Sequence, residues 1–353
     1  MKVNFIMPGL GNSGGMKVVY KYAKLLQKED VDVKIYSSFF AYPAHKFQLK
    51  LVNYIYKTYC FIKTLFSFRS KKNEGVTWVP RINNKYIRTA DVTVATAWPT
   101  AYEVNSLSQK CGKKAYFIQG YEIWDNEYLG MKSYTLPLKH IVIAKWIDNI
   151  LVNELHLKPG YLVRNGMDTK SFIPEEKKKN SNKISCLMLY HKLSQKGIED
   201  GIRAYRLVKD KYPNVSLNMF GMFKDPKIEI VDNYYRNPSK EQLIKLYQQS
   251  DIFIYPTREE GWGLTPLEAM ACGCAVAGTY AGCMLELGVS GKNVLLSKPK
   301  DVKALAENIS LLINDETLRK KLQKNGRTTV ERLSWTESTN KLKKALIEIT
   351  NSC

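Results

Sequence analysis

Two glutamates bracket the segment Glu260-Gly-Trp-Gly-Leu-Thr-Pro-Leu-Glu268. Gly261 and Gly263 let backbone N–H groups come close to a ligand. Thr265 is expected to cap a helix whose first residue is Pro266 and whose third is Glu268. A capping box of that kind accounts for Glu268 but leaves Glu260-Gly-Trp-Gly without a reason. A helix N-terminus concentrates partial positive charge and suits phosphate. Carboxylates on either side accept hydrogen bonds from hydroxyls. A sugar–phosphate compound offers both groups. Lys196, followed by Gly197, stands before another expected helix, where a positive charge is mildly unfavourable unless an anion faces it. The alternative for Lys196 is a solvated surface lysine.

A second glycine cluster, Gly9-Leu-Gly-Asn-Ser-Gly-Gly15, has the form of a dinucleotide fingerprint. That fingerprint needs an acid at the end of the next strand, which here ends Ile35-Tyr36-Ser37-Ser38. A nicotinamide oxidoreductase is therefore the weaker alternative. Asp30-Val-Asp32 resembles a metal-binding pair but falls at a helix-to-strand turn, the wrong end of a parallel sheet for a ligand. His45, His140, His156 and His191 show no paired metal spacing, so no metal and no cofactor is expected.

These residues need a scaffold. Val3–Met7 reads as a strand, Met16 to Lys28 has helical apolar spacing, and Val31–Tyr36 is the next strand: a βαβ unit, hence a parallel sheet. Strands are expected at Val92–Ala95, Lys114–Ile118 and His140–Ile143. A lysine-rich stretch at Lys177–Lys183 follows. A second series then places strands at Ile184–Leu189, Ser216–Phe220, Asp251–Tyr255, Ala275–Gly278 and Val294–Leu296. Helices are expected near 197–211, 240–249 and 266–271, and from Val302 to Ile349. The pattern predicts two doubly wound α/β domains facing a central cleft. Their expected bounds are 1–168 and 169–335, with 336–353 a helix returning towards the first domain.

Composition agrees with this scale. The chain has 353 residues, enough for two domains without disulfide or metal staples. Seven scattered cysteines read as free thiols of a reducing compartment. Neither a secretory signal nor a membrane-spanning run is expected. The formal net charge is +21. Residues 1–173 carry 25 basic and 12 acidic side chains, so the first half holds most of the excess. Such a field favours polyanions. No nucleic-acid module is recognisable, and no nucleic-acid partner is expected.

Glu260-x7-Glu268 resembles the E-x7-E signature of retaining glycosyltransferases of family four, which have the GT-B fold. Gly14-Gly15 at the first helix, Asn165-Gly-Met-Asp168 with Phe172, Asn237 to Pro256, and Leu333-Ser-Trp335 are similar to family segments in the same order. The resemblance implies a nucleotide-diphosphate sugar as donor substrate and a hydroxyl of a cell-surface glycan or lipid-linked acceptor. It implies retained anomeric configuration through front-face substitution, without a metal. Glu268 would take ribose hydroxyls, and Glu260 the donor sugar. The backbone amides of Gly263, Leu264 and Thr265 would contact the diphosphate and sugar, and Gly14 and Gly15 the diphosphate. Lys196 matches the family's phosphate-facing lysine. The arginine that usually precedes it is absent, and His191 or Lys192 stands near its place. An inactive binding subunit that keeps the fold is the other alternative.

Two features lie outside the signature. Gln119, Glu122 and Asp125 follow the end of an expected strand and are acceptor-side candidates, with Tyr121 and Trp124 able to stack on a sugar face. An ordinary loop around a core tryptophan is the alternative. Residues 46–72 hold seven basic residues and no acid, with Phe47, Leu51, Tyr54, Phe61, Leu65 and Phe68 at helical spacing. This basic amphipathic helix either packs on the first sheet or lies on an anionic membrane. The expected location is cytoplasmic, with peripheral attachment to the inner membrane face in the second case.

Overall fold

A computed structural model describes residues 1–9, 13–39, 75–175 and 183–352, together with Ile55, Thr58, Tyr59 and Ile62. The amphipathic stretch 46–72 therefore lies almost wholly outside the described residues. The chain divides into two compact units. One comprises Met1–Asn165 with Thr336–Cys353, and the other Gly166–Trp335.

Among the described residues the first unit holds a seven-stranded parallel sheet. Its strands are β1 (Lys2–Met7), β2 (Asp32–Ser38), β3 (Val76–Val79), β4 (Val92–Ala95), β5 (Lys113–Ile118), β6 (Lys139–Val142) and β7 (Tyr161–Leu162), in the order β3-β2-β1-β4-β5-β6-β7. β1 and β4 are buried almost throughout, as expected of central parallel strands covered on both faces. The described helices before residue 150 are α1 (Gly14–Gln27), α2 (Trp98–Asn105), α3 (Glu127–Tyr134) and α4 (Lys145–Asn149).

The second unit holds a six-stranded parallel sheet. Its strands are β8 (Ser185–Leu189), β9 (Ser216–Gly221), β10 (Asn233–Arg236), β11 (Ile252–Tyr255), β12 (Ala275–Thr279) and β13 (Leu295–Ser297), in the order β10-β9-β8-β11-β12-β13. Around it lie α5 (Ile198–Lys211), α6 (Lys240–Gln249), α7 (Leu264–Ala271), α8 (Met284–Leu287), α9 (Val302–Asn314) and α10 (Glu316–Glu331). Its core is built from Ile202, Tyr205 and Val208 of α5 against Leu217, Ile252 and Ile309. In both sheets the first strand sits in the middle and the order reverses beside it. That is the switch point at which doubly wound sheets bind ligands, beyond the carboxyl ends of their strands. The last helix, α11 (Trp335–Asn351), has all but its first residue in the first unit.

Candidate active site

In the second unit two loops leave the carboxyl ends of neighbouring strands, one after β8 (Tyr190–Gly197) and one after β11 (Pro256–Gly263). They are joined through the backbone. Arg258 and Glu259 donate their N–H groups to the Gln195 carbonyl, at 2.7 and 3.1 Å. Gly197, with φ +60°, makes the approach possible: a Cβ there would lie 2.0 Å from the Pro256 carbonyl oxygen. Any side chain at this position would force the loops apart. The Arg258 guanidinium holds both carboxylate oxygens of buried Asp200, at 2.7 and 2.9 Å, and so pins the second loop to α5. Sequence reading missed this clamp, although Arg258 stands only two residues before Glu260.

The joined loops bring Lys196 and Glu260 together. The Lys196 ammonium donates to Glu260 Oε2, with both side chains about one-fifth exposed. The pair is thus reachable from solvent but poorly screened. His191 lies near it. Burial and then the Lys196 charge push the imidazole pKa down, while Glu260 acts in the opposite sense. The ring is therefore neutral near pH 7. Its Nδ1 accepts a 3.1 Å bond from the Leu193 N–H, which assigns the proton to Nε2. The Lys192 ammonium instead sits 5.3 Å from the centre of the Phe223 ring.

The helix behind the glycines starts earlier than expected. Thr265 is not its cap: α7 begins at Leu264, with Gly263 as N-cap at φ +84°. The turn that leads into it requires glycine. A Cβ on residue 263 would sit 2.6 Å from the Tyr255 hydroxyl, and glycine alone takes this left-handed turn readily. Pro266 consequently falls at the third helical position, and the cap makes no side-chain hydrogen bond. The first-turn N–H groups of Leu264 and Thr265 have no intrahelical acceptor. Glu268 lies one turn further on, half-buried, and accepts a 3.0 Å hydrogen bond from the hydroxyl of buried Tyr247. Gly261 lies in the bend between Glu260 and α7. Trp262 is buried, with its indole N–H lacking an acceptor among the described residues. Nothing in the spacing of the signature had marked it.

The first unit carries its own group. Gly14 and Gly15 open α1, capped by Ser13. Gln119, at the end of β5, packs over that turn: a Cβ on Gly15 would meet its Nε2 at 3.3 Å. Glu122 is buried. Its carboxylate accepts from the Trp98 N–H at 2.7 Å, the Tyr116 hydroxyl at 2.9 Å and the Gln119 N–H at 3.4 Å. Burial raises its pKa to about 7 against the pull of those bonds. Glu122 thus ties α2 to the strand end and offers a ligand little. Asp125 sits in a left-handed turn, φ +64°. Tyr121 stacks on Tyr134, while Trp124 is 40% exposed. Among the described residues no cluster of three or more histidine, cysteine or acidic groups could hold a metal, and no helix is long and apolar enough to cross a membrane.

Residues 169–329 match the family model of glycosyl transferases group 1. A capsular polysaccharide biosynthesis glycosyltransferase, CapM of Staphylococcus aureus, is 31% identical over 148 residues, which is 39% of this chain and 39% of that protein. The N,N'-diacetylbacillosaminyl-diphospho-undecaprenol alpha-1,3-N-acetylgalactosaminyltransferase of Campylobacter jejuni is 32% identical over 177 residues, 45% of this chain and 46% of that protein. The matched segment thus spans less than half the length of either relative. Among solved structures, HepE of Anabaena in complex with UDP and glucose superposes with a TM-score of 0.71, 99% of this chain covered and 100% of that one, at 14% identity. At that identity the likeness speaks for the fold alone. The chain has the GT-B fold, and its match to the glycosyl transferases group 1 model is carried by residues 169–329, within the second unit.

Proposed function

We propose that the protein transfers a sugar from a nucleotide-diphosphate donor to a hydroxyl of a cell-surface glycan or lipid-linked acceptor. The anomeric configuration is retained and no metal takes part. The observation that carries this reading is the Lys196–Glu260 pair, held by joined loops in front of a side-chain-free helix start, within the segment that matches group 1.

The chemistry follows from exchange of partners. A donor brings phosphate oxygens for the lysine and sugar hydroxyls for the carboxylate, so each member of the pair trades its neighbour for a substrate group of suitable kind. Lys196 and the open amides of Leu264 and Thr265 then face the charge that grows on the departing diphosphate. Neutral His191 offers Nε2–H to the same oxygens. Glu268 takes ribose hydroxyls, with Tyr247 holding its orientation. In a front-face substitution the glycosidic oxygen leaves on the diphosphate. That diphosphate accepts the acceptor's proton, and the new bond forms on the same face. Attachment to anionic membrane through residues 46–72 belongs to this proposal and is tested by sedimentation with anionic vesicles at low salt.

The deciding experiment is thermal unfolding against UDP, GDP, dTDP, ADP, CMP and NAD, followed by transfer assays with the stabilising nucleotide's sugars. A ligand at 100 times its Kd adds about 2.7 kcal/mol. Stabilisation by one diphosphate nucleotide, with product of unchanged anomeric configuration by NMR and full rate in EDTA, is the expected result. Stabilisation by NAD alone overturns the reading. Binding without turnover across sugars and acceptors turns it towards an inactive subunit.

A further inference from the structure

Every connection between successive strands of the second sheet carries a helix except one: residues 222–232, between β9 and β10, form an extended loop. A loop fills less volume beside α5 than a helix does. A cavity of about 640 Å³ remains there, with walls from α5, from this loop and from the residues after β8. That volume is in the range of sites that hold small molecules. Neither Lys196 nor Glu260 lines it.

The lining mixes apolar and cationic groups with the polar side chains of Tyr190, His191 and Ser194. Ile198 and Ile202 of α5 and Pro226 and Ile228 of the loop supply an aliphatic floor. Lys192, Arg203 and Arg206 supply cations, and Glu199 is the one acid among the lining residues. Arg258 also reaches the wall, but its guanidinium is held by Asp200. Among the described residues no carboxylate pairs with Lys192, Arg203 or Arg206. Two guanidiniums one helical turn apart repel each other when no anion lies between them. The aliphatic floor itself gives polar groups nothing to bond, and burying them unpaired there is costly. Guanidinium forks, by contrast, match phosphate oxygens.

We propose that this cavity binds the phosphate end of an amphiphile: a phosphate ester on an aliphatic chain, its anion held by Lys192, Arg203 and Arg206 and its first methylenes laid on Ile198, Ile202 and Ile228. Neither Lys196 nor Glu260 lines the cavity, although His191 borders both places, and the proposal does not depend on the sugar-transfer reading. The ester comes either from a lipid in a bilayer or from a monomeric molecule.

The test uses the full chain and octyl phosphate below its micellar concentration, followed by calorimetry. The wild type should bind it, and the double variant R203E/R206E, altered only at exposed positions, should bind it at least about tenfold more weakly. The variant should keep its melting temperature and its stabilisation by whichever of UDP or GDP stabilises the wild type. Inorganic phosphate binding as tightly as octyl phosphate would overturn the amphiphile. So would displacement of octyl phosphate by that nucleotide, because the ligand would then occupy the nucleotide site. No binding, or equal binding by the variant, overturns the site. Pelleting with phosphatidic-acid vesicles that the variant loses supports a bilayer source. Equal pelleting overturns that source and leaves the monomeric ester.

Discussion

Glu122 and Glu260 occupy comparable places. Each follows the carboxyl end of a central parallel strand, β5 in one unit and β11 in the other. Their surroundings divide them. Glu122 is 8% exposed and takes hydrogen bonds from two backbone N–H groups and a tyrosine hydroxyl. Among the described residues Glu260 has a single flexible lysine for its partner, and its side chain is 23% exposed. A carboxylate bound to the fold holds loops in place. A carboxylate bound to one lysine can be exchanged for substrate. Position at a strand end nominates a residue; the partners it already has decide what it can still do.

The largest effect that would break this comparison is catalytic. Glu260→Ala should lower kcat/KM for transfer by about 10²–10³-fold, the size seen when one charge-stabilising group leaves a site, with the melting temperature near that of the wild type. Wild-type rates in the variant, measured with the stabilising nucleotide's sugar, would show that its exposure is not used.

Next in size is the stability of the first unit against pH. The Glu122 pKa is raised from 4.5 to about 7 by burial. The unfolded chain then binds fewer protons than the folded one across that window, so stability falls as pH rises from about 4.5 to about 7. The contribution is on the order of 3 kcal/mol. Glu122→Gln keeps the shape and cannot ionise, so the difference between wild type and variant in urea titrations should track pH over this window. A flat difference would mean that Glu122 is solvated like Glu260.

Arg258→Ala sharpens the same contrast from the other side. It strips a two-pronged partner from Asp200, which is 5% exposed, and frees the loop that carries Glu260. Leaving a buried carboxylate without its guanidinium should cost about 2–3 kcal/mol and raise KM for the donor. Arg258→Lys, a point charge without the fork, should recover only part of both. Loss of stability with unchanged KM would separate the clamp from the site.

The sequence nominated candidate site residues but not the pairings between them. Val92–Ala95 is readable because a central parallel strand is a short apolar run. Val76–Val79 and Asn233–Arg236 were not read as strands. They lie at the two sheet edges, where half-exposed or polar residues such as Asn233 and Arg236 blur the signal. Glu260, Glu268 and Lys196 stood out by spacing within a few residues. The partners came from afar: Lys196 lies 64 residues from Glu260, and Tyr247 lies 21 from Glu268. Local periodicity holds no record of such contacts. Gly263 shows the same limit at short range. Thr265-Pro266 is a good helix start by itself, yet the helix begins at Leu264, behind a left-handed turn that the distant Tyr255 hydroxyl reserves for glycine.

The smallest predicted effect tests that last point and extends the comparison to backbone groups. Ser239 caps α6 through a reciprocal box, its hydroxyl accepting from the Gln242 N–H at 3.2 Å and Gln242 Oε1 accepting from the Ser239 N–H at 2.9 Å. Those donors are taken by the fold, as Glu122 is. The start of α7 lacks any such cap, as an anion site requires. Ser239→Ala should therefore cost about 1 kcal/mol, whereas Thr265→Ala, within the first turn, should cost less than about 0.5 kcal/mol. Urea unfolding of the two variants decides the matter. Equal costs would mean that the Thr265 hydroxyl caps the helix after all, its first amides spoken for by the fold and closed to a phosphate. A Thr265→Ala variant as stable as the wild type, with unaltered stabilisation by nucleotide, would mean that the open amides of α7 serve the ligand through the backbone alone.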